Sequence, residues 1–370
     1  GLLVPSGIAT DSGTSAFFRM MVDGKRLAEV IDFENRAKVF EDVDSRFKFS
    51  ILVMAGQGDP QLTVRAGFFM HQIEEIEDPE RSFRLVPDDF ALFNPNTRTC
   101  PIFRRRRDYE ITRGIYERVA VLIDKGNGDA GNPWELRFRQ GLFNMTTDSH
   151  LFHTEAELKA AGCWQDSRDP GNVWRGKEGR WLPLYEAKMI HQYDHRFATG
   201  VAGDEKLISG QASESVSVAQ KADPTCSVMP RYWVPEAEVR YEGRVMLGFR
   251  DIARATDVRT CIATVMPKVG VGNTLPLILY GGAPALLTCL SANLSIFVLD
   301  YVARQKVSTT HLNFFIVEQF PILPPATYDA DFHGVRLVNF ISQRVLELSY
   351  TARDMKGLAD DLGYDGQPFV

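Results

Sequence analysis

Residues 300–325 read DYVARQKVSTTHLNFFIVEQFPILPP, and the character of this stretch governs the reading of the chain around it. A helix-like run leads into Arg304, Gln305, Lys306, Ser308, Thr309, Thr310, His311 and Asn313. An apolar run and prolines at 321, 324 and 325 close it. A segment this polar between two segments this apolar reads as a loop pinned at both ends. Its side chains are of the types that donate to phosphate oxygens and base edges. On its own the stretch reads equally as a solvated connection between two core elements.

Working outward, Pro284 opens a helix with Leu286, Leu290, Leu294, Phe297 and Tyr301 on one face. Beyond residue 325, Val335, Val338, Ile341, Val345 and Leu348 recur at helical spacing, predicting a terminal helix. Strand-like runs occupy 244–249, 261–265 and 275–280. All five tryptophans, Trp134, Trp164, Trp174, Trp181 and Trp233, lie beyond the linker at 124–133 (DKGNGDAGNP). Short apolar runs between Gly, Asn and Asp turns predict a mixed, strand-rich domain there, with an exposed polar loop at 201–223.

The N-terminal part has a different rhythm. Residues 2–4 read as a buried strand. Asp11 or Thr14 caps a helix carrying Phe17, Phe18, Met21 and Val22, and Gly24 ends it. Strands follow at 27–33 and 47–54, the second with Phe47, Phe49, Ile51 and Val53 alternating against Lys48 and Ser50. A turn at 56–60 precedes a strand at 62–70. Strand, helix, strand, turn, strand is the second half of an α/β sheet. A core strand at residue 1 predicts a piece of a longer protein. Arg104, Arg105, Arg106 and Arg107 are consecutive, ahead of a helix with Ile111, Ile115, Val119 and Leu122 on one face. Cations at a helix start oppose its dipole, a conflict that a phosphate or an acidic partner relieves, as Asp108 and Glu110 do in part.

The bulk numbers set limits. The 370 residues carry a formal net charge of −6, so the chain is no polycation and any nucleic-acid surface must be a local patch. Five widely spaced cysteines without a CxxC pair point to a reducing, cytoplasmic compartment. No signal peptide is visible and no apolar run is long enough for a membrane span.

Several constellations could carry chemistry. Glu186 and Lys188 have the ExK spacing of a metal-dependent nuclease, with Asp166 or Asp169 as a partner. His191 and His195, four apart, would share a helix face and could take zinc, but no third ligand is evident. Lys188, His191, Gln192, Asp194, His195 and Arg196 form a dense polar run. Arg250, Arg254 and Arg259 form a basic set, and Lys268 and Asn273 flank Gly270-Val271-Gly272. That turn lacks the third glycine and the helix of a dinucleotide fingerprint. No Asn-Pro-Pro-aromatic tetrad is present, and Asn94-Pro95-Asn96-Thr97 is only superficially like one.

A resemblance enters here. Residues 1–11 (GLLVPSGIATD), 32–36 (DFENR) and 43–49 (VDSRFKF) resemble the late part of an adenine-N6 DNA methyltransferase domain of the type IIG-like restriction–modification family. Residues 94–104 resemble the connector of that family. Residues 185–196, 248–253 and 300–325 resemble blocks of its target recognition domain, and 304–325 also resembles the close of a recognition domain in type I specificity subunits.

The resemblance implies an α/β and α+β chain. The tail of a Rossmann-like methyltransferase sheet (1–72) would precede a basic connector with a helix (73–125). A mixed, strand-rich target recognition domain (126–325) and a C-terminal helical segment (326–370) would follow. It implies sequence-specific binding of double-stranded DNA, with the missing N-terminal catalytic half as the other partner. S-adenosylmethionine would serve the parent enzyme, and none is expected on this part, which lacks the cofactor and catalytic motifs.

The expected DNA-binding residues are Arg104, Arg105, Arg106 and Arg107 toward phosphates. Lys188, His191, Gln192, Arg196, Thr309, Thr310, His311 and Asn313 are expected at or near bases, with Arg250, Arg254, Lys268, Asn273, Arg304 and Lys306 in support. The alternatives are a module that docks a partner subunit and a nuclease centred on Glu186 and Lys188.

Overall fold

A computed structural model describes residues 1–56, 60–200, 213–308 and 310–370. Residues 57–59 of the expected turn, 201–212 of the expected polar loop, and Thr309 lie outside the described residues. The fold is mixed α and β with several sheets. It divides into two compact units. One joins Gly1–Pro133 with Arg254–Thr260 and Tyr301–Leu323; the other joins Trp134–Ala253, Cys261–Asp300 and Pro324–Val370. The chain thus crosses between units several times. This differs from the four consecutive segments read in the sequence: 73–125 packs in one unit with 1–72, and 326–370 in one unit with 134–253.

The first unit is built on a five-stranded sheet. Its strands are β1 (Leu2–Pro5), β2 (Leu27–Glu34), β3 (Lys48–Met54), β4 (Val64–Met70) and β5 (Ser82–Leu85), in the order β1-β3-β2-β4-β5. Only β2 and β4 pair in parallel. Helix α1 (Ser15–Asp23) buries Phe18, Met21 and Val22 and stops at Gly24, as its spacing predicts, but Phe17, read on the same face, is exposed. Together with α2 (Pro87–Phe93), it covers one sheet face, where Val30, Leu52, Phe68, Phe83, Phe90, Phe93 and Phe103 form the main core. Each fully buried aromatic of this kind contributes about 1.5–3 kcal/mol. The opposite face holds a smaller cluster of Ile31, Phe33 and Met70, with Phe49 and Ile51 against it.

Three patterns are corrected. Residues 2–4, read as a buried strand, form a strand at the sheet edge with Leu2 and Leu3 exposed. In β3 the buried residues are Ser50 and Leu52, while Phe47 is 65% exposed. Both sheet faces are covered, so alternation did not separate core from solvent there. In α3 (Arg106–Tyr116) the buried residues are Thr112 and Tyr116, and Ile111 is exposed. Its aromatic side chains set the inward face, since Tyr109 and Tyr116 pack on Phe93.

Among the described residues the second unit has two main sheets, besides two-stranded pairs of Ala198–Thr199 with Glu214–Ser215 and of Asp331–Phe332 with Val335–Arg336. Strands β6 (Arg137–Arg139), β7 (Trp164–Gln165), β8 (Trp174–Gly176), β9 (Gly179–Tyr185) and β10 (Trp233–Pro235) precede β11 (Val245–Phe249), β12 (Ala263–Pro267), β13 (Gly270–Val271) and β14 (Leu277–Leu279). One sheet runs β10-β9-β8-β7, with β13 beside β9. The other is antiparallel, β12-β11-β14-β6. The tryptophan-rich composition has a cause: Trp174, Trp181 and Trp233 cluster with Leu158 as a core of their own.

The long helix expected from Pro284 breaks at Ile296, whose backbone is extended, into α4 (Pro284–Ser295) and α5 (Phe297–Arg304). Phe297 is consequently exposed. The terminal helix α6 (Leu337–Ser349) buries Val338 and Val345 but turns Leu348 outward, and Val335, read as its first position, instead pairs in a short strand with Phe332 and is exposed.

Candidate nucleic-acid interface and a buried aspartate

The row of cross-strand pairs along β2 and β3 changes character as it runs. Val30 faces Leu52 in the core, Asp32 then faces Ser50, and Glu34 faces Lys48. Opposite Asp32, the parallel partner β4 bulges: Ile31 pairs with Gly67 but Phe33 pairs with Met70. The extra residue is accommodated by Phe69 in the left-handed region (φ 53°). Positive φ in a bulky residue is strained and persists only where surrounding structure holds it. Here the bulge brings the Phe69 N–H to Asp32.

Asp32 is 5% exposed. Its Oδ1 accepts from the Ser6 hydroxyl and, at 3.0 Å, from Ser50 Oγ. Burial raises its carboxyl above the usual range, outweighing the two hydroxyls, the charge of Lys48 and the Phe69 amide, which pull it down. A cavity of about 170 Å³ opens beside it, lined by Ser6, Gly7, Thr10, Asp32, Lys48, Ser50 and Ser308 among others. The sequence signal for this site was an acid inside an apolar strand, three residues before the asparagine of DFENR.

Lys48 connects the cavity to the opening stretch. Its Nζ donates to the Ser308 carbonyl at 3.0 Å and lies 4.0 Å from the Phe69 ring centroid. The guanidinium carbon of Arg104 lies 4.2 Å from the same centroid. Arg104, Arg105, Arg106 and Arg107 are all exposed. The expected dipole conflict is relieved inside the protein, because Asp108 accepts the Arg105 backbone N–H at 3.1 Å. Glu110 serves both Arg106 (3.1 Å) and Arg107 (3.6 Å). Four positive and two negative charges between 104 and 110 leave two positive in excess.

Residues 304–313 divide into anchors and outward side chains. Arg304 donates to the carbonyls of Ala255, Asp257 and Val258, so it holds the 254–260 loop in place. Lys306 is corrected as a DNA contact. It is 8% exposed, and its Nζ donates to Phe93 O (2.6 Å) and Asn94 Oδ1 (2.5 Å). Burial drives its pKa well below the usual lysine value. Val307 and Leu312 are buried on either side of the loop, while Thr310, His311 and Asn313 are exposed. Arg254 is also exposed and on this unit.

In the second unit the polar run 185–196 turns inward. Arg196 is corrected: it is 1% exposed and donates to the carbonyls of Lys221, Asp223, Cys226 and Thr351, organising loops rather than meeting a ligand. Gln192 donates to the carbonyls of Cys261 (3.2 Å) and Ser295 (3.3 Å), and Arg250 to that of Ile190 (2.9 Å). Both donate to backbone carbonyls of their own unit.

His191 and His195 do not share a helix face. Residues 191–194 form a turn, His191 stacks near Phe197, and His195 pairs with Asp354 at 2.9 Å. Lys188 pairs with Glu186 at 3.5 Å. The acids that a nuclease would need are engaged elsewhere, Asp166 by Arg168 and Asp169 by Arg175 and Arg180. Among the described residues no group of three or more His, Cys, Asp or Glu could hold a metal ion.

Lys268 and Asn273 are partly buried. Between them, Gly270 packs where a Cβ would meet Val234 at 2.5 Å. That glycine permits close strand packing on β9 and is no cradle for a cofactor phosphate. Among the described residues no single helix is long and apolar enough to cross a membrane.

No family model matches the chain, and no curated protein matches it. Among solved structures it is similar to the type IIG restriction endonuclease BpuSI, at 11% identity and a TM-score of 0.32. The match covers 97% of this chain and 46% of that one, so the chain spans about half the length of that structure.

Proposed function

We propose that this chain recognises a specific sequence in duplex DNA for an adenine-N6 methyltransferase of the restriction–modification type. The observation that supports it is one surface of the first unit. There a loop anchored by buried Val307 and Leu312 presents Thr310, His311 and Asn313, and Lys48 ties its start to the ring that Arg104 covers. Rigidly held donors beside excess positive charge suit phosphate contacts for register and base contacts for specificity. In this reading Arg104, Arg105, Arg106 and Arg107 meet phosphates, and Thr310, His311 and Asn313 meet base edges. The methyl donor S-adenosylmethionine would be held by a part of the enzyme other than these residues.

The test is fluorescence anisotropy with duplexes carrying the methylated site, located by modified-base sequencing, and scrambled controls. Arg105→Ala with Arg106→Ala should weaken binding to both duplexes and flatten the salt dependence. Equal affinity for the site and the scramble in the unaltered chain would refute sequence recognition. An acidic partner protein competing for the arginines while no duplex does would favour the subunit-docking reading.

A further inference from the structure

Lys48 and Arg104 come from distant parts of the sequence, yet their cationic groups both lie within 4.2 Å of the Phe69 ring centroid. Like charges brought this close repel, and the Arg104 charge is one of the influences that lower the Lys48 pKa, after burial. Two carboxyls act on Lys48: buried Asp32, whose own pKa is raised, and Glu34, 4.0 Å away and more closely engaged by His71 (3.2 Å) and Arg36 (3.4 Å). Among the described residues Arg104 has no carboxylate partner. The ring that gathers the two cations sits on a strained backbone, φ 53° at Phe69, held by the bulge against β2.

A ring quadrupole attracts a cation by about 0.5–1 kcal/mol at an exposed site, too little to favour a second cation against repulsion. An anion between the two removes the conflict. Lys48 is also 22% exposed on its side chain and lines the cavity that carries the Ser6 and Thr10 hydroxyls. Lys48 therefore reaches both the ring it shares with Arg104 and a cavity lined by hydroxyls and by Asp11 and Asp32.

We infer that Lys48 and Arg104 clamp a single phosphate group between them, with Phe69 as their common platform. The inference rests on the duplex-binding reading in taking that phosphate to be one of the DNA backbone, immediately beside the 308–313 loop. The clamp would set the loop's register on the duplex, so Lys48 becomes a contact residue that sequence reading assigned only to a strand.

The experiment uses the full chain and two probes. The first is inorganic phosphate, followed by ³¹P line broadening against chloride at matched ionic strength. The second is the cognate duplex across a salt titration. The variants are Lys48→Met, which keeps the aliphatic stem on the ring, Arg104→Gln, and both together. Phosphate broadening should be present in the unaltered chain and lost in each single variant.

On the duplex, each single variant should lower the slope of log K against log salt by about 0.9, and the double variant should lower it no further, because one phosphate is involved. A double-variant loss of about 1.8 means two separate phosphates and overturns the clamp. Unchanged slopes with intact duplex binding overturn it and leave the DNA reading standing. Phosphate binding that depends on both residues, in a chain that binds no duplex, keeps the clamp and overturns the DNA reading. Should Lys48→Met fail to fold, Arg104→Gln alone decides: retained broadening refutes the site.

Discussion

Replacing Lys306 with methionine separates an anchor from a DNA contact. The lysine amine is buried with two acceptors, Phe93 O and Asn94 Oδ1, and the Tyr116 ring centroid 5.1 Å away. Burial depresses its pKa well below 10.5, so the unfolded chain binds a proton that the folded lysine refuses. Stability from this group is therefore greatest above the unfolded pKa and is lost as pH falls toward the folded one. Across that window the slope is about 1.36 kcal/mol per pH unit. As pH rises toward the unfolded value the unaltered chain should gain stability that Lys306→Met does not. Against this, the variant orphans two acceptors at about 1–3 kcal/mol each while no longer burying an amine.

The assay is urea unfolding at several pH values. All five tryptophans lie in the second unit, so their fluorescence reports that unit and far-UV circular dichroism reports both. The difference should be in the dichroism transition alone, with the salt slope of DNA binding unchanged. Parallel stability–pH profiles for the two proteins would refute the buried, proton-refusing lysine. A flattened salt slope would return Lys306 to the DNA surface.

Three further outcomes follow from the same structure. Asp32→Asn keeps the Oδ1 acceptor of Ser6 and Ser50 but cannot ionise. Because the folded pKa of Asp32 is raised, its stability is fully present below the unfolded value and lost as pH rises through the folded one, so the unaltered chain should weaken relative to the asparagine variant from pH 4 upward in paired melts. Arg196→Ala strands the carbonyls of Lys221, Asp223, Cys226 and Thr351 and should cost at least about 3 kcal/mol, read as an early tryptophan-fluorescence transition; a loss confined to DNA affinity would contradict its buried role. His311→Ala should lower the ratio of cognate to scrambled binding without altering the salt slope, and an unchanged ratio in competition removes the loop as a reader of bases.

The strands and the first helix were legible because period and punctuation agree: Phe18, Met21 and Val22 share a face and Gly24 stops it. Burial on β3 was not legible, since both faces are covered and Ser50 is inside by virtue of Asp32. Polarity marked residues 188–196 and 304–313 as a group but carries no direction. Whether a cation points to solvent or to a loop carbonyl depends on where loops from distant sequence pass. Thus Arg196 meets Thr351 and Lys306 meets Phe93, separations of 155 and 213 residues. The shared ring of Lys48 and Arg104 was invisible for the same reason, although Gly67 within 64–70 is a local sign of the bulge it required.

Two sets of cations in the first unit have different consequences. Arg304 and Lys306 satisfy carbonyls, and Arg65 and Arg81 likewise donate to those of Ile76 and Phe69. Such groups are held by short-range bonds that salt does not screen. The four arginines at 104–107 stand in solvent, tempered only by Asp108 and Glu110. Their field reaches a partner across a Debye length and is weakened by salt. A chain with a net charge of −6 can therefore attract a polyanion at one patch while repelling it elsewhere. If the chain binds duplex DNA as proposed, that contrast would orient the encounter, and raising salt should slow association at the arginine patch before it loosens contacts made by the loop of Thr310, His311 and Asn313.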